Sequence, residues 1–552
     1  MPEHPRIGIF LCECGGEISR GVDLDTLASR AGTYPDVVHL STKPFWCSPD
    51  GLQELKRRIA EEKLNRVLVA GCSPRTHGGL LQSQVEEAGL NWNFCHMVNL
   101  REHCVRVHSQ DVEAATGKAL RLLRMGVAGA GRAEAVDEIE VEILPAVAVV
   151  GGGISGMTAA LSLARRGIAV KLIEQETHLG GTLRALSRLY PQKVDAAKFL
   201  ASRIEAVLGN ERIEVFPGSR MANLGGHAGA FELTVDRGNT TETVSAGAVI
   251  VATGAEEWIP AGSAGPPGVI SLTDLHGRLK AGDPGADRIV FLLSLDGPVS
   301  RIPAAVALMA HSVLETAEHI REIRPDASLT ILYRDLPESA QGIVQELFTS
   351  GVRFIRYSLE NPPKISPEAV DVREQGSGDK VKIESDLTVL AAGLAPSPGT
   401  RLAGELPVLW QDGNGFVVEP YLRLRPGEIF DRGVYVAGTA HGPAGVAASM
   451  AQAFGAASRA LRFLRAGKIA KRALVAVVDE EICRGCGQCE EVCAFGAACL
   501  RERERGIRKS EIDDVLCVGC GFCVSECISG AIRLPYHTDR QVRSVLAGSG
   551  PE

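Results

Sequence analysis

The sequence predicts a mixed α/β protein of several domains, and three observations carry that expectation. Near the middle, an apolar run from Ala146 to Val150 leads into Gly151, Gly152, Gly153, Ile154, Ser155 and Gly156. A helical pattern through Arg166 and a second apolar run from Ala169 to Ile173 follow. Strand, tight turn, helix and strand in that order form the unit of a parallel sheet. Toward the start, short strand-like runs at Ile7 to Leu11 and Val67 to Ala70 alternate with helical segments and scattered cysteines. At the end, eight cysteines fall into two sets of one spacing, Cys483, Cys486, Cys489 and Cys493, then Cys517, Cys520, Cys523 and Cys527. The expected organisation is an N-terminal α/β cysteine domain (1–140), a central Rossmann-type domain (141–470) with a subdomain inserted at about 276–389, and a C-terminal α+β domain (471–552).

A chain of 552 residues has room for such a set of cores. With 59 basic and 67 acidic residues the net charge is −8, so no basic excess points to nucleic acid or an anionic membrane surface. Proteins and small molecules are the expected partners. The chain runs from Met1 into the Ile7 to Leu11 strand without an apolar region of signal-peptide length, and no apolar run is long enough to span a bilayer. A cytoplasmic location is therefore expected, and the fifteen cysteines are expected to be reduced and in part metal-bound.

In the first domain Cys12, Cys14, Cys47, Cys72, Cys95 and Cys104 are too loosely spaced to define a site. Their positions say more. Cys12 and Cys14 close the first strand, Phe45 to Ser48 opens a helix, and Gly71 to Arg75 follows the strand Val67 to Ala70. Cysteines at the ends of parallel strands can converge on one edge of a sheet, which sets a metal site against buried structural thiols.

The central glycine turn has the context of a dinucleotide fingerprint. Gly151 suits the tight turn, Gly153 the approach of a pyrophosphate to the helix N-terminus, with Ile154 and Ser155 opening that helix, and Gly156 close packing of helix on strand. Glu174, at the end of the second strand, is placed to hold the adenosine ribose hydroxyls. Downstream come Gly180, Gly181 and Thr182, a strand from Val249 to Val251 ending in Thr253 and Gly254, and another from Gly433 to Ala437 ending in Gly438 and Thr439. A small-residue helix from about Gly445 to Phe463 follows. This set resembles the two-dinucleotide-domain flavoproteins related to thioredoxin reductase, which implies FAD. Nicotinamide-dependent members carry a second glycine fingerprint in the inserted domain. Here Ile289 to Pro298 keeps the strand without the glycines, and no cysteine lies between Cys104 and Cys483. Flavin chemistry with a nicotinamide or with a redox thiol pair is thereby disfavoured.

The C-terminal spacing is that of a two-cluster ferredoxin. Three closely spaced cysteines serve one cube, and the fourth crosses to the other. Cys483, Cys486, Cys489 and Cys527 are assigned to one [4Fe-4S] cluster, and Cys517, Cys520, Cys523 and Cys493 to its neighbour. Zinc usually takes two separated pairs per site, which fits this spacing poorly. The proline common after the fourth cysteine is replaced by Ala494 and Ile528.

The segments Leu11 to Gly15, Cys72 to His77 and Asn99 to Cys104, the flavin fingerprint, Gly438 to Pro443 and the terminal ferredoxin occur in the order found in the A-type iron–sulfur subunits of heterodisulfide reductase, and nearly the whole chain resembles that family. The resemblance implies an FAD and iron–sulfur electron-transfer protein working with B-like and C-like subunits in an assembly that is often dimeric. Input comes from ferredoxin or from a hydrogenase or dehydrogenase component, and flavin-based bifurcation occurs in such complexes. It also implies a third [4Fe-4S] cluster on Cys47, Cys72 and Cys104 with Cys12 or Cys14, and leaves Cys95 and Cys499 as core thiols. Long members insert a ferredoxin after the glycine pair, whereas Thr182 to Leu200 holds none. Cysteines of their inserted domain give way to Ser294, Ser300 and Ala305 to Met309, and Ala444 stands where many have lysine. A cation there would stabilise reduced flavin, so plain electron transfer is expected ahead of bifurcation. No side chain is expected to act as a catalytic acid or base, and Asp274 is read as a turn acid. The basic run Arg501 to Arg508 is read as a solvated loop or a docking site for an acidic carrier. The rival readings are an NAD(P)H-oxidising flavoprotein resembling the small subunit of glutamate synthase, and a cluster-wiring scaffold without working flavin.

Overall fold

The computed structural model describes residues 4–108, 110–260, 267–293, 302–400, 410–419, 425–429, 433–503 and 506–550. The chain divides into two compact units, Met1–Val141 with Ala470–Glu552, and Glu142–Ile469. The first and last segments, expected as separate domains, therefore share one unit. Contacts remote in sequence join them. The last helix, Asp539–Ala547, packs on Val112–Gly131, where Arg124 Nε donates to the Gly548 carbonyl at 2.7 Å and Gln541 Nε2 to that of Arg132 at 3.2 Å. Arg472 lies 3.9 Å from the Trp92 ring centroid and donates to Gln82 Oε1 at 2.6 Å.

Four parallel strands form the sheet of this unit, in the order Val37–Lys43, Ile7–Cys12, Arg66–Gly71, Cys95–Asn99. Ile7–Cys12 is buried throughout, and its side chains alternate between two cores. Ile7, Ile9 and Leu11 pack with Leu27 and Leu123 of helices Leu24–Ala31 and Val112–Gly131. Phe10 and Cys12 pack with Leu55 and Leu81 of Pro49–Glu61 and Pro74–Glu87 on the other face. Ser48 caps Pro49–Glu61 by accepting from the Gly51 amide, with Pro49 in the first turn. The second strand lies on one side of the first and the third on the other. The order thus reverses between Ile7–Cys12 and Arg66–Gly71, and in open α/β sheets the crevice beyond the carboxyl ends of two such strands is where ligands bind.

The C-terminal part of the unit is a repeat. Val477–Val478 pairs with Ile532–Arg533 and Ala498–Glu502 with Arg508–Ile512. Short helices Gln488–Glu491 and Phe522–Ser525 are each entered through a left-handed glycine, Gly487 at φ 86° and Gly521 at φ 82°. The basic run lies between and on the strands Ala498–Glu502 and Arg508–Ile512, where Arg503 pairs with Glu480 at 2.6 Å and Glu511 at 3.2 Å; residues 504–505 lie outside the described residues.

The second unit holds the same architecture twice. Its first parallel sheet runs Ile213–Pro217, Ala169–Glu174, Ala146–Val150, Ala248–Val251, Val434–Val436, accompanied by the antiparallel strands Ser219–His227, Ala230–Arg237 and Thr240–Ala246. The second runs Val269–Ser271, Leu387–Ala391, Arg288–Leu293, Ser328–Tyr333, Arg353–Arg356, accompanied by Lys364–Ser366, Ala369–Arg373 and Lys380–Glu384. The inserted subdomain thus takes its first strand ahead of residue 276, from a segment too short to show periodicity. Ala255–Trp258 and Gly393–Pro396 pair antiparallel on either side of it. Asp274 is part of a capping box, accepting from Ser271 N at 3.1 Å while its own amide donates to Ser271 Oγ at 2.9 Å. The strand Arg288–Leu293 is in place, whereas Ser294 to Pro298 and Ser300 lie outside the described residues.

Candidate functional site

The glycine turn sits between the strand Ala146–Val150 and the helix Ile154–Ala164. A Cβ on Gly156 would stand 1.8 Å from the Gly151 carbonyl oxygen, so the helix can rest on the turn only with glycine there. Beside Gly153, the N-cap of this helix, nothing lies within 4 Å of a would-be Cβ, and the cap has no side-chain hydrogen bond. Open space before unpaired amides at a helix N-terminus suits a pyrophosphate. Glu174 is buried, and its carboxylate accepts from the amides of Gly152 at 2.6 Å and Glu176 at 2.8 Å. Burial raises its pKa.

These elements border a cavity of about 770 Å³. Gly151, Gly153, Ile154, Ser155, Glu174, Gly180, Gly181, Thr182, Thr253, Gly254 and Thr439 all line it. Gly156 and Gly438 do not. Gly156 lets the helix rest on the turn, and Gly438 makes room for a side chain, since a Cβ there would fall 2.0 Å from Ser155 Oγ. A second helix, Val446–Arg465, brings its N-cap Gly445 to the wall beside Ala444, again with no side-chain cap. His276 also lines the cavity, 5% exposed, and its Nε2 is buried without a partner. An orphaned polar atom in the wall together with two uncapped helix N-termini fits a large polar cofactor such as FAD.

Sequence reading missed the wall contributed by the inserted subdomain, with His276, His311 and Glu315, and by Tyr190 in the turn between Arg188–Leu189 and Val194–Asp195. Tyr190 donates to the Glu315 carbonyl at 2.6 Å, and burial, aided by Glu318, pushes the Glu315 carboxyl up to about 7. Nothing local marks these residues, because His276, His311 and Glu315 occupy ordinary positions on helices and Tyr190 lies in a turn.

In the first unit Cys12, Cys14, Cys47 and Cys72 line one small cavity of about 120 Å³, with Trp46, His77, Met97 and Arg101. It lies at the ends of the two strands where the sheet order reverses. Cys14 is held left-handed at φ 49°, a conformation that a non-glycine residue keeps only under constraint. Its Sγ donates to Cys12 Sγ at 3.6 Å. Hydrogen bonds from Cys14 hold the Cys12 thiol down at about 6 and the Cys72 thiol at about 5, while Cys14 itself is pushed up. The thiolate is the form of cysteine that ligates metal. Cys104, carried over by resemblance, is not brought here. It sits fully buried in the turn Arg101–Val105 among the apolar side chains of the opposite core, and burial raises its pKa. Cys95 lies in the core that includes Leu55 and Val85, pushed up to about 12 by burial. Cys499, expected in a core, is only half-buried on its hairpin strand.

The C-terminal cysteines repeat their surroundings. Cys489 and Cys523 are buried in the short helices, and Cys486 and Cys520 are exposed in the preceding loops. Backbone amides point at the sulfurs: Ala476 N to Cys517 Sγ at 3.4 Å, Ala497 N to Cys493 Sγ at 3.3 Å and Ser510 N to Cys483 Sγ at 3.5 Å. Burial, then the nearby thiols of Cys517, Cys520 and Cys493, with Cys489 after them, push Cys523 up to about 11.

Two family models match this chain. Residues 145–285 match pyridine nucleotide-disulphide oxidoreductases, and residues 482–531 match the 4Fe-4S dicluster domain. Among the described residues no group of three or more His, Cys, Asp or Glu is drawn together as a single-ion site needs, and the cysteines matched by the dicluster model are among them. Among solved structures, thioredoxin reductase of Lactococcus lactis overlays 58% of this chain and 100% of its own, at 16% identity and a TM-score of 0.44. The first A-type iron–sulfur subunit of the CoB–CoM heterodisulfide reductase of Methanopyrus kandleri is 31% identical across 97% of this chain and 96% of its own length. Its counterpart in Methanocaldococcus jannaschii is 29% identical across 99% and 98%. Among the described residues no helix is long and apolar enough to cross a membrane. A flavin-type cavity and a dicluster module on one chain, alike over nearly its whole length to these relatives, make it an oxidoreductase that belongs to the family of heterodisulfide reductase A-type iron–sulfur subunits.

Proposed function

We propose that this chain is the FAD and iron–sulfur electron-transfer subunit of a heterodisulfide-reductase-like complex, moving electrons between flavin, its clusters and B-like and C-like partner subunits. The observation that carries the reading is that residues 142–469, which build the flavin cavity, contain no cysteine, while the rest of the chain holds all fifteen. No thiol pair beside the cavity can take over electrons there, so the cysteine centres of the same chain are the acceptors or donors at hand.

FAD, when bound, supplies exchange between two-electron and one-electron steps. The chain's own residues do the rest. The amides around Gly153 and Gly445 hold negative charge at two helix N-termini, and Glu174 takes ribose hydroxyls with the carboxylate lone pairs that Gly152 and Glu176 leave free. Cys483, Cys486, Cys489 and Cys527 hold one cluster, Cys517, Cys520, Cys523 and Cys493 the second, and Cys12, Cys14, Cys47 and Cys72 a third. Ala444 in the cavity wall supplies no cation to stabilise reduced flavin, which favours plain electron transfer over bifurcation.

Anaerobic purification with FAD, iron and acid-labile sulfide measured per chain tests this. One FAD with about twelve irons is expected on four-iron arithmetic. Iron without FAD would establish a wiring scaffold instead. Rapid flavin bleaching by NADH or NADPH in the isolated chain would establish a nicotinamide-oxidising flavoprotein.

A further inference from the structure

We propose that His77 poises the N-terminal centre by donating a hydrogen bond from Nδ1 to the sulfur of Cys72; this rests on the reading of Cys12, Cys14, Cys47 and Cys72 as cluster ligands. Besides the Cys14 thiol, two side chains stand against that sulfur, Thr76 Oγ1 at 3.2 Å and His77 Nδ1 at 3.4 Å. A metal-bound thiolate has no proton to give, so only a neighbour that donates can stabilise it. A threonine hydroxyl carries a single proton, and Thr76 directs its own to the Ser73 carbonyl at 2.6 Å. Its lone pairs are left for His77 Nδ1, 3.2 Å away. The Nδ1–H of His77 therefore serves both the Thr76 oxygen and the Cys72 sulfur, which selects that tautomer.

Local structure holds the pair in place. Cys72 directly precedes Ser73, the N-cap of Pro74–Glu87, and His77 lies in the first turn of that helix with its side chain in the cavity wall. Arg101, which also lines the wall, is engaged by Glu102 at 2.8 Å and Glu17 at 3.8 Å. His77 is thus the donor available to the centre. Hydrogen bonds to sulfur are among the determinants of cluster potential. Reduction adds negative charge, and a donor to a ligand sulfur favours the reduced state.

In the anaerobic full-length protein, the EPR signal and about four irons lost in Cys72→Ala identify the centre. A redox titration of that signal then compares wild type with His77→Leu, His77→Asn and Thr76→Val. His77→Leu is expected to keep its iron and to weaken one-electron reduction about tenfold, a shift of about 59 mV to more negative potential. His77→Asn, which keeps an N–H donor near the place of Nδ1, stays close to wild type, and so does Thr76→Val. A wild-type potential in His77→Leu, or an equal shift in Thr76→Val, overturns the proposal. If His77→Leu loads poorly, His77→Ala removes the donor with a smaller change and is held to the same outcomes. Full iron in Cys72→Ala would overturn the cluster reading itself, a failure distinct from an unmoved potential.

Discussion

The two cysteine regions of the first unit bring their thiols together by opposite routes. In the C-terminal module the ligands lie close in sequence, within two loops that repeat one spacing, and the thiols are themselves much of the packing. Among the described residues, Cys489, Cys517 and Cys523 stand with Val475, Ala476, Ala497, Ala498 and Ile532 as the buried core. In the N-terminal domain the thiols come from three separate strand ends, and the sheet beneath them is packed on both faces by apolar helices independently of any ligand. The difference teaches where folding energy resides. A core made of ligands is stable only when the ligands are filled, whereas a crevice on a finished sheet persists when empty.

The sharpest test of that contrast strips the clusters from the full chain. Amide exchange across residues 475–534 should rise toward that of an unfolded segment, while the strands Ile7–Cys12 and Arg66–Gly71 keep their protection; simultaneous loss in both would end the comparison. Substitution in the two backbones should separate them next. Gly519→Ala places a Cβ 2.1 Å from the Leu474 carbonyl oxygen at φ 68°, and about four irons should be lost. Gly71→Ala meets the Cys12 Cβ at 3.0 Å, which a small shift relieves, and the Cys12 Sγ at 3.8 Å, an ordinary contact, so its iron content should match wild type. The smallest effect concerns the choice of ligands. Cys104→Ala should retain all iron and cost about 1–2 kcal/mol of stability as a small buried truncation, read from denaturant unfolding of the N-terminal domain. Iron loss in Cys104→Ala equal to that in Cys72→Ala would return Cys104 to the site.

Legibility followed the range of the interactions. The strands Ala146–Val150 and Ala169–Glu174 and the glycine turn between them were readable because turn, helix and strand are successive in the chain. Most residues expected at the dinucleotide do line one cavity; Gly156 packs helix on turn as its place in the motif implied, while Gly438 makes room for the Ser155 side chain, which its strand-end position did not reveal. The far wall, with His276 and Glu315, was invisible because it comes from a subdomain folded from a separate stretch. Phe45 to Ser48 was legible as a helix entry from its Ser and Pro, yet not as the source of a third strand-end thiol.

By itself, then, the sequence determined the α/β class, the dinucleotide turn and the two matched sets of C-terminal cysteines, since each depends on residues a few positions apart whose geometry the backbone dictates. Only the tertiary structure decided that the two ends of the chain share one unit, that Cys14 joins Cys12, Cys47 and Cys72 while Cys104 stays in the core, and that His77 reaches Cys72. Those outcomes depend on strand order in a sheet, and strand order is set by packing between segments tens of residues apart, which no local spacing encodes.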